Sequence, residues 1–359
     1  MKFTPRPGIL DIEPYVPGAS KGGSGKVIKL SSNENPLGPS PKAMQAYKDT
    51  ADKMHRYPDG GSSELRSAIA AKHNMDAERI VCGTGSDELI SLLCRAYCGE
   101  GDEVLYTQHG FLMYPIAALS VGATPVKAAE PERKTDLETL FDAINDKTKM
   151  IFIANPNNPT GALVKKDALL EFHAKLCPDI LLILDSAYAE FVEEENYTDG
   201  RDMVDQFDNV VMLRTFSKIY GLGGMRVGWS YSSREIADVL NRIRGIFNLS
   251  IATQAAALAA LADDDYIKKS LQINSQQRKW ITERFETLGI HVYPGEGNFI
   301  LFTLGSEEKA VACLNFMKER GILLRGMIAY GLPDCLRMTI GLPEDMKAVD
   351  KAMREFLGS

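Results

Sequence analysis

The stretch Thr215-Phe-Ser-Lys218, followed by Gly221-Leu-Gly-Gly-Met-Arg226, is the part of the sequence from which the fold can be inferred. It places a lysine among hydroxyls and glycines, with an arginine a short distance further on. A lysine amine can condense with an aldehyde, whereas hydroxyls, backbone amides and a guanidinium can bind a phosphate dianion. The stretch therefore predicts a site for pyridoxal 5'-phosphate. Lys218 would be its Schiff-base lysine, and the phosphate ligands would be Thr215, Ser217 and Arg226.

Two motifs upstream support this interpretation, because each follows a short apolar run. The asparagine loop Asn155-Pro-Asn-Asn-Pro-Thr-Gly161 follows Met150-Ile-Phe-Ile-Ala154, and Asp185-Ser-Ala-Tyr188 follows Ile180-Leu-Leu-Ile-Leu184. Short apolar runs bounded by Gly and Pro are typical of central strands in a parallel sheet. Ligands of such sheets bind beyond the carboxyl ends of the strands, so we expect both motifs to converge on Lys218.

The chemistry of these side chains predicts roles at the pyridine ring of the cofactor. A buried carboxylate, Asp185, would keep the ring nitrogen protonated and make the ring an electron sink. An amide and a phenol, Asn158 and Tyr188, would lie near the 3-oxygen and stabilise its anion. Lys218, once freed by the incoming amine, would be the base that moves the substrate Cα proton. The structural alternative is that Asn158 caps a turn and Asp185 a helix.

A glycine-rich turn completes the predicted cofactor site. Gly83-Thr-Gly-Ser-Asp87 lies between a predicted strand and a predicted helix, so its free amides and the helix dipole can face an anion. We expect the cofactor phosphate to bind at Gly85, Ser86 and Asp87. The alternative is that the turn is only a tight connection between the two elements.

With these motifs in order, the sequence resembles the fold type I pyridoxal phosphate enzymes. Within them it is similar to the class I and II aminotransferases, specifically the histidinol-phosphate aminotransferase family. The resemblance covers nearly the whole chain. Its further landmarks are Tyr15-Val-Pro-Gly18, Leu30-Ser-Ser-Asn-Glu-Asn-Pro-Leu-Gly-Pro-Ser-Pro41, Arg56-Tyr-Pro-Asp59 and Leu336-Arg-Met-Thr-Ile-Gly341.

The resemblance implies an α/β fold, with a mostly parallel central sheet in a large domain and a smaller α+β domain. The expected division is an amino-terminal segment 1–44 that packs with the small domain, a large cofactor-binding domain 45–262, and a small carboxy-terminal domain 263–359. The implied reaction converts L-histidinol phosphate and 2-oxoglutarate to imidazole acetol phosphate and glutamate, in histidine biosynthesis.

The resemblance also implies further residues of the cofactor site. Phe111 matches the aromatic residue that stacks on the pyridine ring. Tyr57 matches the tyrosine that reaches the cofactor phosphate from the neighbouring subunit, which implies a homodimer with shared active sites. His109, close to Phe111, departs from the family pattern. It would either touch substrate or satisfy a backbone carbonyl, and we favour the second.

The substrate side of the site is implied in the same way. Arg337 matches the arginine that pairs with the carboxylate or phosphate of the substrate, and Arg325 matches a second phosphate-facing arginine. Tyr15 matches a tyrosine that lines the same pocket, and Asn35, in the Leu30 to Pro41 landmark, is expected to bind substrate. Either arginine could instead form a surface ion pair.

Three other functions remain open from the sequence. An aromatic amino acid aminotransferase acting on phenylalanine or tyrosine is the nearest, because its substrates also combine a flat ring with an anion. A lyase that decarboxylates threonine phosphate would use the same cofactor site. A cofactor-binding module of a DNA-binding regulator ranks last, since no DNA-binding extension is expected before residue 30.

Composition is consistent with this class. The chain has 359 residues, of which 45% are hydrophobic and 25% charged, enough to bury a large core. A net charge of −7 without a basic block gives no indication of nucleic acid binding. The cysteines lack the spacing of a zinc or redox site, so no metal is expected. Neither a secretory leader nor a membrane-spanning run is predicted, so we expect a cytoplasmic protein.

The hydrophobic pattern alternates between strands and helices, as a parallel α/β sheet requires. The predicted strands of the large domain are Ile80 to Cys82, Glu103 to Tyr106, Thr124 to Lys127, Lys149 to Ala154, Ile180 to Leu184, Val210 to Arg214 and Arg226 to Ser230. The predicted strands of the small domain are Asn298 to Phe302, Ile322 to Arg325 and Cys335 to Thr339. The main predicted helices are Ser86 to Tyr97, Leu137 to Asn145, Lys165 to Leu176, Arg234 to Ile243, Asp263 to Leu288, Glu307 to Arg320 and Glu344 to Leu357. Lys21 to Lys26 is predicted to be a surface loop.

Overall fold

The computed structural model describes residues 3–14, 16–19 and 27–358. Tyr15 and the predicted surface loop Lys21 to Lys26 lie outside the described residues. Within the described ranges the strands are β1 (Ile28–Lys29), β2 (Ile80–Gly83), β3 (Glu103–Thr107), β4 (Thr124–Ala128), β5 (Thr148–Ala154), β6 (Leu181–Asp185), β7 (Val210–Thr215), β8 (Gly228–Tyr231), β9 (His291–Val292), β10 (Phe299–Thr303), β11 (Ile322–Leu323), β12 (Arg325–Gly326) and β13 (Cys335–Thr339).

The helices alternate with these strands, as the hydrophobic pattern predicts. They are α1 (Pro41–Lys48), α2 (Ser63–His73), α3 (Ser86–Tyr97), α4 (Met113–Ser120), α5 (Leu137–Asp142), α6 (Lys166–His173), α7 (Arg201–Val204), α8 (Arg234–Ile243), α9 (Ile251–Leu261), α10 (Asp264–Thr287), α11 (Glu307–Glu319) and α12 (Pro343–Leu357). None of the helices described is both long and apolar enough to cross a membrane.

The central sheet has seven strands in the order β2-β8-β7-β6-β5-β3-β4. Strands β4, β3, β5, β6 and β7 run parallel, and β8 runs antiparallel to both β7 and β2. The inner strands are apolar on both faces because both faces are covered. In β5, Ile151 and Ile153 belong to one buried cluster, whereas Met150 and Phe152 belong to the other. The mostly parallel central sheet predicted from the sequence is confirmed.

A second, antiparallel sheet has the order β12-β13-β10-β9. Its core combines residues of α10, α11 and α12 with Leu30 from the amino-terminal part of the chain. That part is held by strand β1, which pairs in parallel with β11 so that Ile28 lies opposite Ile322. The division at residues 44 and 262 stays a prediction.

Most element boundaries differ from the prediction by one residue, whereas α5 and α6 each end three residues earlier than predicted. Two of the differences have a clear physical reason. Strand β8 begins at Gly228 rather than Arg226, because Arg226 has a left-handed backbone with φ of 52° that does not fit a strand. The strand predicted over Ile322 to Arg325 is two short strands, since β11 pairs with β1 and β12 pairs with β13. By contrast, α3, α8 and β13 have the predicted bounds.

Gly228 brings the carboxyl end of β7 close to the turn before α3. It lies opposite both Thr215 and Gly83. A Cβ at this position would lie 2.5 Å from the Ser86 backbone nitrogen and 2.7 Å from the Gly85 carbonyl carbon. The close approach of three backbone segments therefore requires a glycine.

We predict that Gly228→Ala lowers the free energy of unfolding by about 1–3 kcal/mol, as overpacking against rigid backbone does. Chemical denaturation of the variant and the parent protein measures this. Gly99→Ala is the matched control, because among the described residues no atom beyond its chain neighbours lies within 4 Å of a Cβ built there. Equal stability of the two variants would contradict the prediction.

Candidate active site

A cavity of about 260 Å³ lies at the carboxyl ends of β5, β6 and β7 and is closed by residues of β12 and β13. Its volume is near the lower end of small-molecule sites, about 300 Å³. The residues predicted from the sequence that line it are Ser86, Asp87, Phe111, Asn158, Asp185, Tyr188, Thr215, Ser217, Lys218, Arg226, Arg325 and Arg337. The structure thus brings together side chains from both sheets.

The register of the strands explains this convergence. Ala154, the last residue of β5, pairs with Asp185, the last residue of β6, and Asp185 pairs in turn with Leu213 of β7. The segments that follow the three strands therefore leave the sheet at one edge. Because parallel strands place their carboxyl ends on the same side, residues distant in sequence face one cavity.

Asp185 is a buried carboxylate, with 5% of its surface exposed. Its Oδ2 accepts a hydrogen bond of 2.8 Å from the Tyr114 hydroxyl. Its Oδ1 is buried and has no hydrogen-bond donor among the described residues. Burial raises the pKa of Asp185 from 3.8 to about 6, and the Tyr114 hydroxyl, the Ala187 amide and the charge of Lys218 oppose this rise. A buried acceptor without a donor fits the N–H of a protonated pyridine ring.

Lys218 and Tyr188 face each other across the same part of the cavity. The Lys218 Nζ lies 5.5 Å from the centre of the Tyr188 ring. The Tyr188 hydroxyl accepts a hydrogen bond of 2.8 Å from the Asn33 side chain, and its ring packs edge-on against Phe299. The phenol is therefore fixed in position, and the amine lies over it in the pocket.

The predicted phosphate end of the cavity is formed by the start of α3 and the lysine loop. Gly85 is the N-cap of α3, has φ of 79°, and offers no side chain to the first amides of the helix. Arg226 donates to the Asp87 carboxylate at 2.8 Å. The Thr215 hydroxyl donates to Ser217 Oγ at 3.0 Å. Helix amides, two hydroxyls and a guanidinium at one end of a cavity fit a phosphate group.

The two candidate substrate arginines line the cavity from the small sheet. Arg325 of β12 is directly opposite Arg337 of β13, so both side chains leave the same face of the small sheet. Arg337 is buried and donates to the Asn158 side-chain oxygen and to the Ser31 carbonyl. Arg325 donates to the Val16 carbonyl at 2.8 Å. The pairing concentrates positive charge where an anionic substrate group would bind.

Some predicted site residues do not line this cavity. Asn35 donates to the Ile219 carbonyl at 2.8 Å and to Ser270 Oγ at 3.1 Å, so its amide fixes the chain beside the lysine loop rather than facing the cavity. Tyr57 is 81% exposed and stacks on Phe247 at 4.6 Å between ring centres. Tyr15 lies outside the described residues.

The structure also adds residues that the sequence analysis missed. Tyr114, Asn33 and Tyr330 line the cavity. Tyr114 sits in the apolar helix α4, where its only sequence signal is that of a core residue. Asn33 lies within a recognised landmark, and its backbone has φ of 54°, a conformation that asparagine tolerates. Their roles depend on partners that are far away in the sequence.

His109 is explained by its hydrogen bonds. Its Nδ1 lies 2.7 Å from the backbone carbonyl oxygen of Tyr330. Because a carbonyl only accepts, the Nδ1 carries the hydrogen and donates it. The interpretation that His109 satisfies a backbone carbonyl is confirmed.

Comparison with known proteins gives consistent similarities. The family model described as aminotransferase class I and II matches residues 25–353. The histidinol-phosphate aminotransferase of Rhodospirillum centenum is 49% identical over 355 residues, covering 98% of each chain. That of Paramagnetospirillum magneticum is 49% identical over 358 residues, covering 99% of each chain.

A solved structure resembles the whole arrangement. The crystal structure of histidinol-phosphate aminotransferase from Sinorhizobium meliloti in complex with pyridoxal-5'-phosphate has a TM-score of 0.87 and 28% sequence identity to this chain. The match covers 93% of this chain and 92% of that chain. The fold is thus shared almost end to end.

The raised pKa of Asp185 predicts how the stability of the cofactor-free protein depends on pH. The folded state holds its proton to higher pH than the unfolded chain, so stability falls as pH rises from 3.8 towards about 6 and then levels off. We expect the stability of Asp185→Asn not to fall in this way over that pH range. Its free energy of unfolding relative to the parent protein should rise by about 1 kcal/mol between pH 5 and pH 8.

Denaturant titration of the two cofactor-free proteins at both pH values tests this expectation. Tyr114→Phe is the companion variant, because it removes a hydrogen bond that lowers the pKa of Asp185. In Tyr114→Phe the loss of stability should extend to higher pH. A difference between Asp185→Asn and the parent that is independent of pH would show that Asp185 is already ionised at pH 5.

Proposed function

The chain belongs to the class I and II aminotransferase family, and we propose that it exchanges nitrogen between L-histidinol phosphate and 2-oxoglutarate. The products would be imidazole acetol phosphate and glutamate. The observation that carries this proposal is the Arg325 and Arg337 pair, which lines the same cavity as Lys218. Full-length relatives at 49% identity, named histidinol-phosphate aminotransferase, support it. A cytoplasmic location is part of the same proposal.

Pyridoxal 5'-phosphate is the cofactor that fits the site best. Asp185 Oδ1 would accept the ring N–H, Phe111 would cover one face of the ring, and Asn158 and Tyr188 would lie at the 3-oxygen. The phosphate ligands would be Gly85, Ser86, Asp87, Thr215, Ser217 and Arg226, with Tyr57 supplied by a second subunit. When bound, the cofactor supplies an electron sink for negative charge that develops at the substrate Cα.

The protein groups then perform binding and proton transfer. The guanidinium groups of Arg325 and Arg337 bind the anionic end of the substrate, which orients its Cα towards Lys218. With the cofactor bound, the Lys218 amine would take the Cα proton and deliver it to C4′. The ionised Asp185 carboxylate would hold the protonated ring nitrogen. The second half-reaction uses the same groups in reverse with 2-oxoglutarate, so ping-pong kinetics are expected.

A homodimer is the second part of the proposal. Tyr57 and Phe247 form an exposed aromatic stack that does not line the cavity of their own chain. Met54, three residues before Tyr57, is also exposed. Exposed apolar residues in one region are typical of protein interfaces. In a dimer this region would bring the Tyr57 hydroxyl to the partner's phosphate site.

We predict that the purified holoenzyme is converted to its pyridoxamine form at much lower concentrations of L-histidinol phosphate than of L-phenylalanine. The visible absorption of the bound cofactor measures each single half-reaction. Arg325→Gln should lower kcat/KM for histidinol phosphate by about 10- to 100-fold, the effect of losing a hydrogen bond between charged groups. Its effect on glutamate, which carries no phosphate, should be smaller.

Arg320→Gln is the control for this experiment, because Arg320 lies on the surface of the same domain and pairs with Glu355. A preference for phenylalanine would reassign the protein to aromatic amino acid transamination. Release of carbon dioxide from threonine phosphate would identify a lyase.

Shared active sites predict complementation between two defective variants. Lys218→Ala removes the base, so we expect its homodimer to be inactive. Tyr57→Ala removes the phosphate contact, so its homodimer should bind cofactor weakly. When the two proteins are unfolded together and refolded, each hybrid should contain one intact site of two, and activity should reappear at low cofactor concentration.

Tyr47→Ala, a change of another exposed tyrosine, should give no defect and is the control. If Tyr57 acted within its own chain, the hybrid would have no intact site. Absence of recovered activity in purified hybrids would therefore overturn the shared site.

A further inference from the structure

His109 connects two walls of the cavity. It lies in the turn between β3 and α4, is 5% exposed, and donates from its ring to the Tyr330 carbonyl at 2.7 Å. Two residues later in the same turn, Phe111 lines the cavity from the large sheet. Tyr330 lines it from the segment that precedes β13. The His109 imidazole thus links the turn that carries Phe111 to the segment that carries Tyr330.

Apolar packing reinforces this connection. Tyr330 ends a short 3-10 turn and belongs to a small buried cluster with Met327 and Leu332. Leu112, next to Phe111, packs against that cluster. Gly331 follows with φ of 72°, and a Cβ there would lie 3.8 Å from the His109 ring. The turn and the Tyr330 segment therefore touch through both the imidazole and an apolar side chain.

The backbone of the turn is held separately from the imidazole. The His109 amide donates to Glu130 Oε2 at 2.6 Å. The other oxygen, Glu130 Oε1, accepts from the Asn157 side chain at 3.3 Å, in the asparagine loop. A change of the His109 side chain leaves this amide bond in place. The position of Phe111 should therefore persist when the imidazole is replaced.

A second contact joins the same two regions. Arg133, close to Glu130, binds both carboxylate oxygens of Asp334 at 3.0 Å and lies over the Tyr293 ring at 4.6 Å. Because Arg133 binds Asp334, the start of β13 should stay in place when His109 is replaced. The two contacts involve different residues, since Arg133 binds Asp334 and the His109 imidazole binds Tyr330.

We propose that His109 is a positioning residue for the substrate side of the cavity. Its Nδ1–H fixes the backbone at Tyr330 and so sets the shape of the wall beside Arg325 and Arg337, while cofactor binding depends on other groups. The inference rests on the proposed function in one respect, which is that the amino donor is the molecule that contacts this wall. It goes beyond that function by assigning a role to a residue outside the cavity.

The test compares two replacements of His109 in the holoenzyme. Asparagine places an amide N–H near the position of the imidazole Nδ1, whereas leucine has similar bulk and no donor. Loss of one neutral hydrogen bond corresponds to about a three- to tenfold effect. His109→Leu should raise KM for the amino donor by that factor, with kcat and cofactor affinity little changed. His109→Asn should restore most of the parent KM.

Hydrogen exchange gives a readout that does not depend on the substrate. In the holoenzyme without substrate, amides of residues 327–332 should exchange about three- to tenfold faster in His109→Leu than in the parent or His109→Asn. His173→Leu is the matched control. His173 is also buried and has one ring hydrogen bond, at 2.9 Å, but its partner Asn209, unlike Tyr330, does not line the cavity. It should change neither KM nor exchange in this segment.

Parent-like exchange over residues 327–332 in His109→Leu would overturn the inference, as would equal defects in the asparagine and leucine variants. A fall in kcat or cofactor affinity without a change in KM would also overturn it, because His109 would then act on the cofactor side. If histidinol phosphate proves to be the wrong substrate, the exchange result still stands and KM is measured with glutamate. Failure of the proposed substrate and failure of the positioning role are therefore distinguishable.

Discussion

The parallel pairing of β5, β6 and β7 is the constraint on which the rest of the site depends. Ala154, Asp185 and Leu213 lie side by side because of this register. A shift of one residue would move each side chain to the opposite face of the sheet. The buried apolar residues on both faces resist such a shift, since each face packs on its own core. Packing on both faces of the sheet thus fixes the geometry at the carboxyl ends of these strands.

The cost of burying a charged side chain near these strand ends is offset by ion pairs. Arg214 of β7 is buried and binds Glu190 at 2.6 Å and Asp199 at 2.7 Å. Glu190 follows Tyr188 by two residues, so the ion pair ties the segment that carries the phenol to β7. Breaking a buried pair of this kind leaves an uncompensated charge and is strongly destabilising. Asp185 differs, because it forms no ion pair among the described residues. Its Oδ1 also has no donor there, a requirement that the ring N–H of the proposed cofactor would satisfy.

The amino-terminal part of the chain completes the cavity. Asn33 donates to the Tyr188 hydroxyl, and the Ser31 carbonyl accepts from Arg337. The same segment is hydrogen-bonded to the small sheet, where the Thr339 amide donates to the Leu30 carbonyl at 2.9 Å. A short segment, residues 30–33, therefore contacts Tyr188 at one part of the cavity and Arg337 at another.

The sequence by itself determined the elements and the main chemistry. Periodicity and capping are local, so α3, α8 and β13 were predicted with their observed bounds, and the motifs around Lys218 predicted the contents of the cavity. Only the tertiary structure decided the antiparallel direction of β8, the Tyr114 bond to Asp185, the commitment of Asn35 to the lysine loop and the imidazole link from His109 to Tyr330. Each of these contacts joins residues well separated in sequence. The local pattern around either partner carries no information about the other, because sheet register and domain packing alone bring them together.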